Sequence, residues 1–160
     1  MSRISPALAV AIGLALLAGP ALAEGKLNML GKFVNADTEV DIATYSQLND
    51  KGVEERVGLI GIRNGERRNS AAFDGKEWPT FVGLYHRAEH AQSDTWRYIG
   101  DYTETGTADV SHLKVSAGPG VRFIVESPAK GAFTSDLQRS DLAAFDAAVD
   151  KVAAYLSVTP

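Results

Sequence analysis

Apolar and polar residues alternate with several different periods along this chain, and the same order of periods occurs twice. In the first half, residues 40–45 alternate as in a half-buried strand, and residues 57–62 are apolar at both parities, as in a central strand. Asn64-Gly65 is a typical hairpin turn and predicts a return strand after it. Apolar residues then recur every three or four positions over residues 78–88, which predicts an amphipathic helix.

The second half repeats this order of strands and helix. Period-two alternation predicts several strands, and a helical spacing follows them. An N-capping acid precedes each helix: Asp74, three residues before Glu77, in the first half, and Asp141 in the second. The strands are predicted over residues 96–102, 112–117, 121–126 and 132–137, and the helix over residues 142–156.

The two halves align at an offset of 64 residues, with apolar residues opposite apolar residues from strand through helix. Two amphipathic helices align by chance easily, but an unbroken register from strand to helix favours a structural duplication. The matched pairs include Val57 with Val121, Ile60 with Ile124, Phe73 with Leu137 and Phe81 with Phe145.

Strands that precede a helix, without strand–helix alternation, predict an α+β fold. We expect antiparallel sheet or sheets built from two similar meander-plus-helix repeats, with each helix packed on the sheet. Residues 24–39 form an N-terminal lead-in in this prediction. Residues 40–92 are the first repeat and residues 93–160 the second, and the two repeats form one compact domain.

The first 23 residues have the pattern of a cleaved signal peptide. A short basic start containing Arg3 is followed by an apolar run over residues 7–18, a Gly-Pro break and Ala-Leu-Ala before Glu24. The apolar run is too short to cross a bilayer permanently. We therefore expect export to the periplasm or the extracellular space, with no membrane span. Loss of Arg3 lowers the formal net charge from the −4 of the whole chain to −5.

Composition and missing motifs exclude several functions. The absence of cysteine excludes a disulfide framework, a thiol nucleophile and a thiolate metal site. The chain contains no G-x-S-x-G, G-x-G-x-x-G or phosphate-loop motif, so neither a serine hydrolase nor nucleotide chemistry has support. The acidic charge of an exported chain disfavours general electrostatic binding of nucleic acid.

Strands followed by a helix, twice in tandem, resemble the PUR-repeat and Whirly-type single-stranded nucleic-acid-binding folds. The resemblance covers residues 57–88 and 121–156, and no specific family is identified. It implies that basic and aromatic residues on an open sheet face would hold the strand. The export signal and the acidic charge oppose that function, so nucleic acid is an unexpected partner. The residues carrying the resemblance are Trp78-x-x-Phe81 and Leu142-x-x-Phe145, and the basic candidates are Arg56, Arg63, Arg67, Arg68, Lys114 and Arg122.

Two groups of residues are candidates for binding a ligand or partner. Arg63, Arg67 and Arg68 surround the hairpin turn, where they could meet an anionic ligand or an acidic surface, although a solvated charged turn has the same pattern. Trp96 and Tyr98 share a strand parity with Tyr102 and could floor a ligand pocket, although aromatic residues beneath a helix usually belong to the core.

His86-Arg87-Ala88-Glu89-His90 matches the H-x-x-E-H motif of inverted zinc metallopeptidases. His86 and His90 lie one turn apart, so both could bind one metal ion. The helical wheel places both on the flank away from the apolar stripe, which also fits two solvent-exposed histidines near a helix end. No further acidic ligand is identified by the sequence.

The sequence favours a non-catalytic, exported binding module for an unknown small ligand or periplasmic protein. The first alternative is a small metal-binding protein or metal-dependent enzyme that uses His86 and His90. A relative of the single-stranded nucleic-acid-binding folds is the third hypothesis. No cofactor is predicted, apart from a divalent metal under the first alternative.

Overall fold

The computed structural model describes residues 25–49, 51–104 and 111–158. Within these residues four strands and a helix occur twice in succession. The first unit comprises β1 (Lys26–Asn35), β2 (Thr38–Leu48), β3 (Glu54–Asn64), β4 (Arg67–Phe73) and α1 (Trp78–His90). The second comprises β5 (Arg97–Thr103), β6 (His112–Ala117), β7 (Gly120–Ser127), β8 (Gly131–Gln138) and, after one turn of 3₁₀ helix, α2 (Leu142–Leu156).

Each unit forms its own four-stranded antiparallel meander. The strand orders are β1-β2-β3-β4 and β5-β6-β7-β8, and every neighbouring pair is antiparallel. The predicted α+β class, with two similar meander-plus-helix repeats and a helix packed on each sheet, is therefore confirmed.

Strand β1 lies where the sequence indicated only a lead-in, and a bulge explains the weak pattern. The pairing with β2 shifts register between Met29 and Gly31, so the alternation of side chains changes phase in the middle of the strand. Strand β5 has the same irregularity between Tyr98 and Gly100. The two first strands therefore share a bulge at the corresponding place, although their sequences differ.

The strand register of the two units departs by one residue from the offset found in the sequence. Gly58 pairs with Phe73, and Val121 pairs with Leu137, so β3 and β7 correspond at an offset of 63 rather than 64. The turn after β3 has two residues and the turn after β7 has three, which restores the offset of 64 in the next strand and the helix. Ile60 thus corresponds to Phe123, and Ile124 lies on the opposite face of its sheet.

The predicted capping interaction precedes α1. The backbone N–H of Glu77 donates to Asp74 Oδ1 at 2.9 Å, and the N–H of Asp74 donates to Glu77 Oε2 at 3.1 Å. These reciprocal bonds satisfy backbone donors ahead of the first helical turn. Pro79 occupies the first turn, where a missing N–H is tolerated.

Each helix packs mainly on the sheet of the other unit. Helix α1 lies against β5, β6 and β7, whereas α2 lies against β1, β2 and β3. The two units therefore share one core, and each supplies the cover for the inner face of the other sheet. Rings from both units meet there, for example Phe33 with Phe145 at 5.4 Å and Phe81 with Phe123 at 6.2 Å between centroids. Because each unit lacks its own cover, we expect neither to be stable alone.

The sequence also predicts a signal peptide and no membrane span. The predicted signal peptide, residues 1–23, is outside the described residues. Neither described helix has the length and apolar character required to cross a membrane.

Candidate functional site

The shared core occupies the inner faces of both sheets. The candidate binding residues of the sheets therefore lie on the two outer faces. We call them the first and the second outer face, after their sheets. The buried part of the first consists of Met29, Asp41, Ala43, Tyr45, Val57, Leu59, Arg68 and Ala72. The second consists of Tyr98, Asp101, His112, Lys114, Arg122, Glu126 and Asp136, with Trp96 at its end.

The hairpin arginines are not brought together as a free cationic cluster. Arg68 is buried on the first outer face, where it forms a bidentate ion pair with Asp41; its Nε donates to Asp41 Oδ2 at 2.8 Å. Gly61 lies beneath this pair, and a side chain there would collide with both partners. Arg63 reaches Glu39 at 3.7 Å.

The third hairpin arginine points to the opposite side of the sheet. Arg67 donates to the backbone carbonyl of Lys130 at 3.2 Å and stacks over the ring of Phe133 at 5.1 Å. Its contacts therefore join the two units. The hairpin thus holds paired or structural arginines, which leaves little positive charge for an anionic ligand.

Trp96 and Tyr98 lie at the second outer face, but Tyr102 does not join them. The bulge at Ile99 reverses the parity of the strand, so Tyr98 points outward while Tyr102 points inward. The ring of Tyr102 packs at a tilt against Phe73, with ring centroids 4.6 Å apart, and burial raises the pKa of Tyr102. The Tyr98 side chain is 63% exposed. The predicted alternation, which placed Trp96, Tyr98 and Tyr102 on one face, is interrupted by the bulge.

A chain of short hydrogen bonds organises one side of the second outer face. The hydroxyl of Tyr98 donates to Asp101 Oδ1 at 2.6 Å, and Asp101 Oδ2 lies 2.6 Å from His112 Nε2. The bond from Tyr98, and then the bond with His112, lower the pKa of Asp101 below its ordinary value. The same bond to Asp101 raises the pKa of Tyr98. Asp101 is thus held ionised between two oriented rings.

Ion pairs organise the other side of this face. Lys114 Nζ donates to both oxygens of Glu126 at 3.0 Å, and Arg122 forms a bidentate pair with Asp136 at 2.6 and 2.9 Å. The guanidinium of Arg122 also lies 4.0 Å from the ring centroid of Trp96, a close cation–π contact. The bond with Asp136 raises the pKa of Arg122. Both cations of this surface are already matched by carboxylates.

The two predicted metal ligands are both exposed on α1. His90 Nδ1 lies 2.7 Å from the backbone oxygen of His86, a local contact near the end of the helix. His86 instead forms a group with Glu89 and with Asp146 of α2, and the ligand atoms of these three residues all lie within 4.8 Å of one another. The motif therefore contributes His86 and Glu89 to this group, and the third member comes from the other helix.

Asp146 is held in place by a neighbouring tyrosine. The hydroxyl of Tyr85 donates to Asp146 Oδ1 at 2.7 Å. Burial first, and this bond second, raise the pKa of Tyr85, which keeps the hydroxyl protonated and donating. No local signal in the sequence identified Asp146, since it lies 60 residues from His86 and meets it only through the contact between the helices.

Comparisons with known proteins identify no relatives. No family model matches the chain, and no match was found among curated proteins or solved structures.

Proposed function

We propose that this protein is an exported, non-catalytic binding protein that uses its second outer face. The observation that carries the proposal is a solvent-accessible sheet face whose aromatic and charged side chains are already oriented by one another. Oriented groups lose little side-chain entropy when a ligand binds, so more of the contact energy becomes affinity. The pattern of residues 1–23 supports export.

The chemistry of this face favours a neutral, polar ligand. Arg122 and Lys114 each meet a carboxylate, so a polyanion would have to displace those pairs before it gained phosphate contacts. Exposed Tyr98 offers ring surface for stacking, and Trp96, whose ring is covered by Arg122, lies at the end of the same face. The ion pairs offer hydrogen-bond donors and acceptors side by side. A carbohydrate chain, with apolar ring faces and many hydroxyls, suits this combination.

Tryptophan fluorescence provides a direct test, because the two tryptophans differ in position. Trp78 is fully buried in the core, whereas Trp96 lies at the second outer face. Titration with neutral oligosaccharides should change the emission of the wild-type protein, and Trp96→Phe should abolish that change. Tyr98→Ala should weaken binding by roughly tenfold, as expected for one lost aromatic contact.

The controls separate this function from its alternatives. Val34→Ala removes an apolar residue that is 65% exposed on the first sheet, and it should leave binding unchanged. Binding of oligosaccharides that Tyr98→Ala does not weaken would contradict the proposed surface. Salt-sensitive binding of single-stranded oligonucleotides, with no response to oligosaccharides, would support the nucleic-acid hypothesis instead.

A further inference from the structure

A group of one histidine and two carboxylates lies at the contact between the two helices, outside the second outer face. His86 and Glu89 stand one turn apart on α1, and Asp146 faces them from α2. The three residues come from both units of the fold, so the group exists only when the helices are packed together. It is separate from the aromatic and charged residues of the second outer face.

We propose that His86, Glu89 and Asp146 form a binding site for a divalent transition-metal ion such as Zn²⁺. One imidazole nitrogen and two carboxylate oxygens are donors that Zn²⁺ accepts. With neutral His86, the two carboxylates carry a charge of −2, which balances a divalent cation. Three protein ligands leave a coordination position for water or for a group from a partner.

The geometry requires only small side-chain adjustments. Ligand atoms around a tetrahedral zinc ion lie about 3.3 Å apart, given bonds of about 2.0–2.1 Å. The three donor atoms are already within 4.8 Å of one another, and the exposed His86 side chain can rotate to close the difference. Repulsion between Glu89 and Asp146 decreases when a cation lies between them. The bound ion would therefore tie α1 to α2.

Tyr85 acts as a positioning residue for this site. Its hydroxyl donates to Asp146 Oδ1, which restricts rotation of the carboxylate. Outer hydrogen bonds of this kind typically change metal affinity by about 10–100-fold when they are removed. The site is thus supported from beneath by a residue of the buried aromatic cluster.

Thermal unfolding of the protein with and without Zn²⁺ tests the proposal. At a Zn²⁺ concentration about 100 times the Kd, we expect the wild-type Tm to rise by about 5 °C or more. His86→Ala and Asp146→Asn should abolish the shift, and Tyr85→Phe should reduce the affinity measured by calorimetry about tenfold or more. Mg²⁺ at the same concentration should have little effect, because it prefers sites made of oxygen ligands alone.

His90→Ala is the matched control, since it removes a second exposed histidine of the same helix. It should keep the full Zn²⁺-dependent shift. Equal losses in His86→Ala and His90→Ala would overturn the proposal in favour of the histidine pair. No Zn²⁺ binding by wild-type protein in calorimetry, or full binding by His86→Ala, would also overturn it.

Discussion

The two sheets of this protein have the same strand order and the same bulge in their first strands, yet their outer faces differ. The first outer face carries an apolar cluster in which Tyr45, Leu59 and Ala72 are 0–4% exposed, next to the buried Asp41–Arg68 pair. The second carries half-exposed ion pairs and the largely exposed Tyr98. Identical topology therefore supports two surfaces of opposite character.

The difference follows from the alternation of side chains along a strand. Residues on the inner face form the shared core, whereas residues on the outer face determine the surface chemistry. Most inner-facing residues of both sheets are apolar and meet in one core, which is a requirement of the shared fold. Outward positions are free of that requirement, so they can diverge between the units. On the first sheet a buried apolar cluster lies beside the Asp41–Arg68 pair, and Lys32 and Arg63 pair with Glu39 on the same face; on the second sheet most outward positions are charged or aromatic.

The largest expected difference between the two faces is the loss in free energy of unfolding when an ion pair is broken. Asp41→Asn leaves Arg68 with an uncompensated charge in a buried position, and we expect a loss of about 3–5 kcal/mol in the free energy of unfolding. Asp136→Asn breaks the half-exposed bidentate pair with Arg122, and we expect about 1 kcal/mol or less. Denaturant unfolding measures both. Equal losses would mean that the two pairs have the same solvent environment.

Thiol labelling tests the exposure of the two faces directly, because the chain has no cysteine of its own. We expect the thiol of Ala72→Cys, at a position 4% exposed on the first outer face, to react at least about tenfold more slowly than that of Ala132→Cys. Ala132 is exposed on β8 and faces outward on the second sheet. Similar rates would remove the contrast between the faces.

The smallest effect concerns the hydrogen-bonded carboxylate of the second outer face. The pKa of Asp101 is lowered in the folded state, so its bonds stabilise the fold above the ordinary carboxyl pKa of about 4, and this contribution is lost as the pH falls through the lowered value. We expect Asp101→Asn to lower the Tm by about 1–2 °C above pH 5, and this difference to shrink as the pH falls below the ordinary carboxyl pKa. A difference in Tm that does not depend on pH would contradict the assignment.

Local patterns predicted the elements well where one face of a strand or helix is buried. The apolar stripe from Trp78 to Ala88, the Asn64-Gly65 turn and the Asp74–Glu77 capping bonds all occur where the sequence indicated them. The predictions failed where a bulge changed the period, as in β1 and around Ile99. An extra residue in a strand reverses every later side chain, and the alternation itself does not reveal where that residue lies.

The candidate sites were harder to predict, because they depend on contacts between distant segments. His86 was recognised from its motif and Tyr98 from its strand, but Asp146 and the Arg122–Trp96 contact join residues 60 and 26 positions apart. The hairpin arginines formed a cluster in the sequence, yet Arg68 and Arg67 point to opposite faces of their sheet. Adjacent residues of a strand point to opposite faces of the sheet, so two arginines next to each other in sequence do not share one surface.

The sequence alone determined the order of the elements, the two similar units and the apolar stripes of both helices, because periodicity is a local property of a chain that must bury one face. Only the tertiary structure decided that each helix covers the sheet of the other unit, which outer face is accessible, and which acid joins His86. These features follow from how separated segments pack together, and the energy of that packing is not recorded in any one stretch of residues.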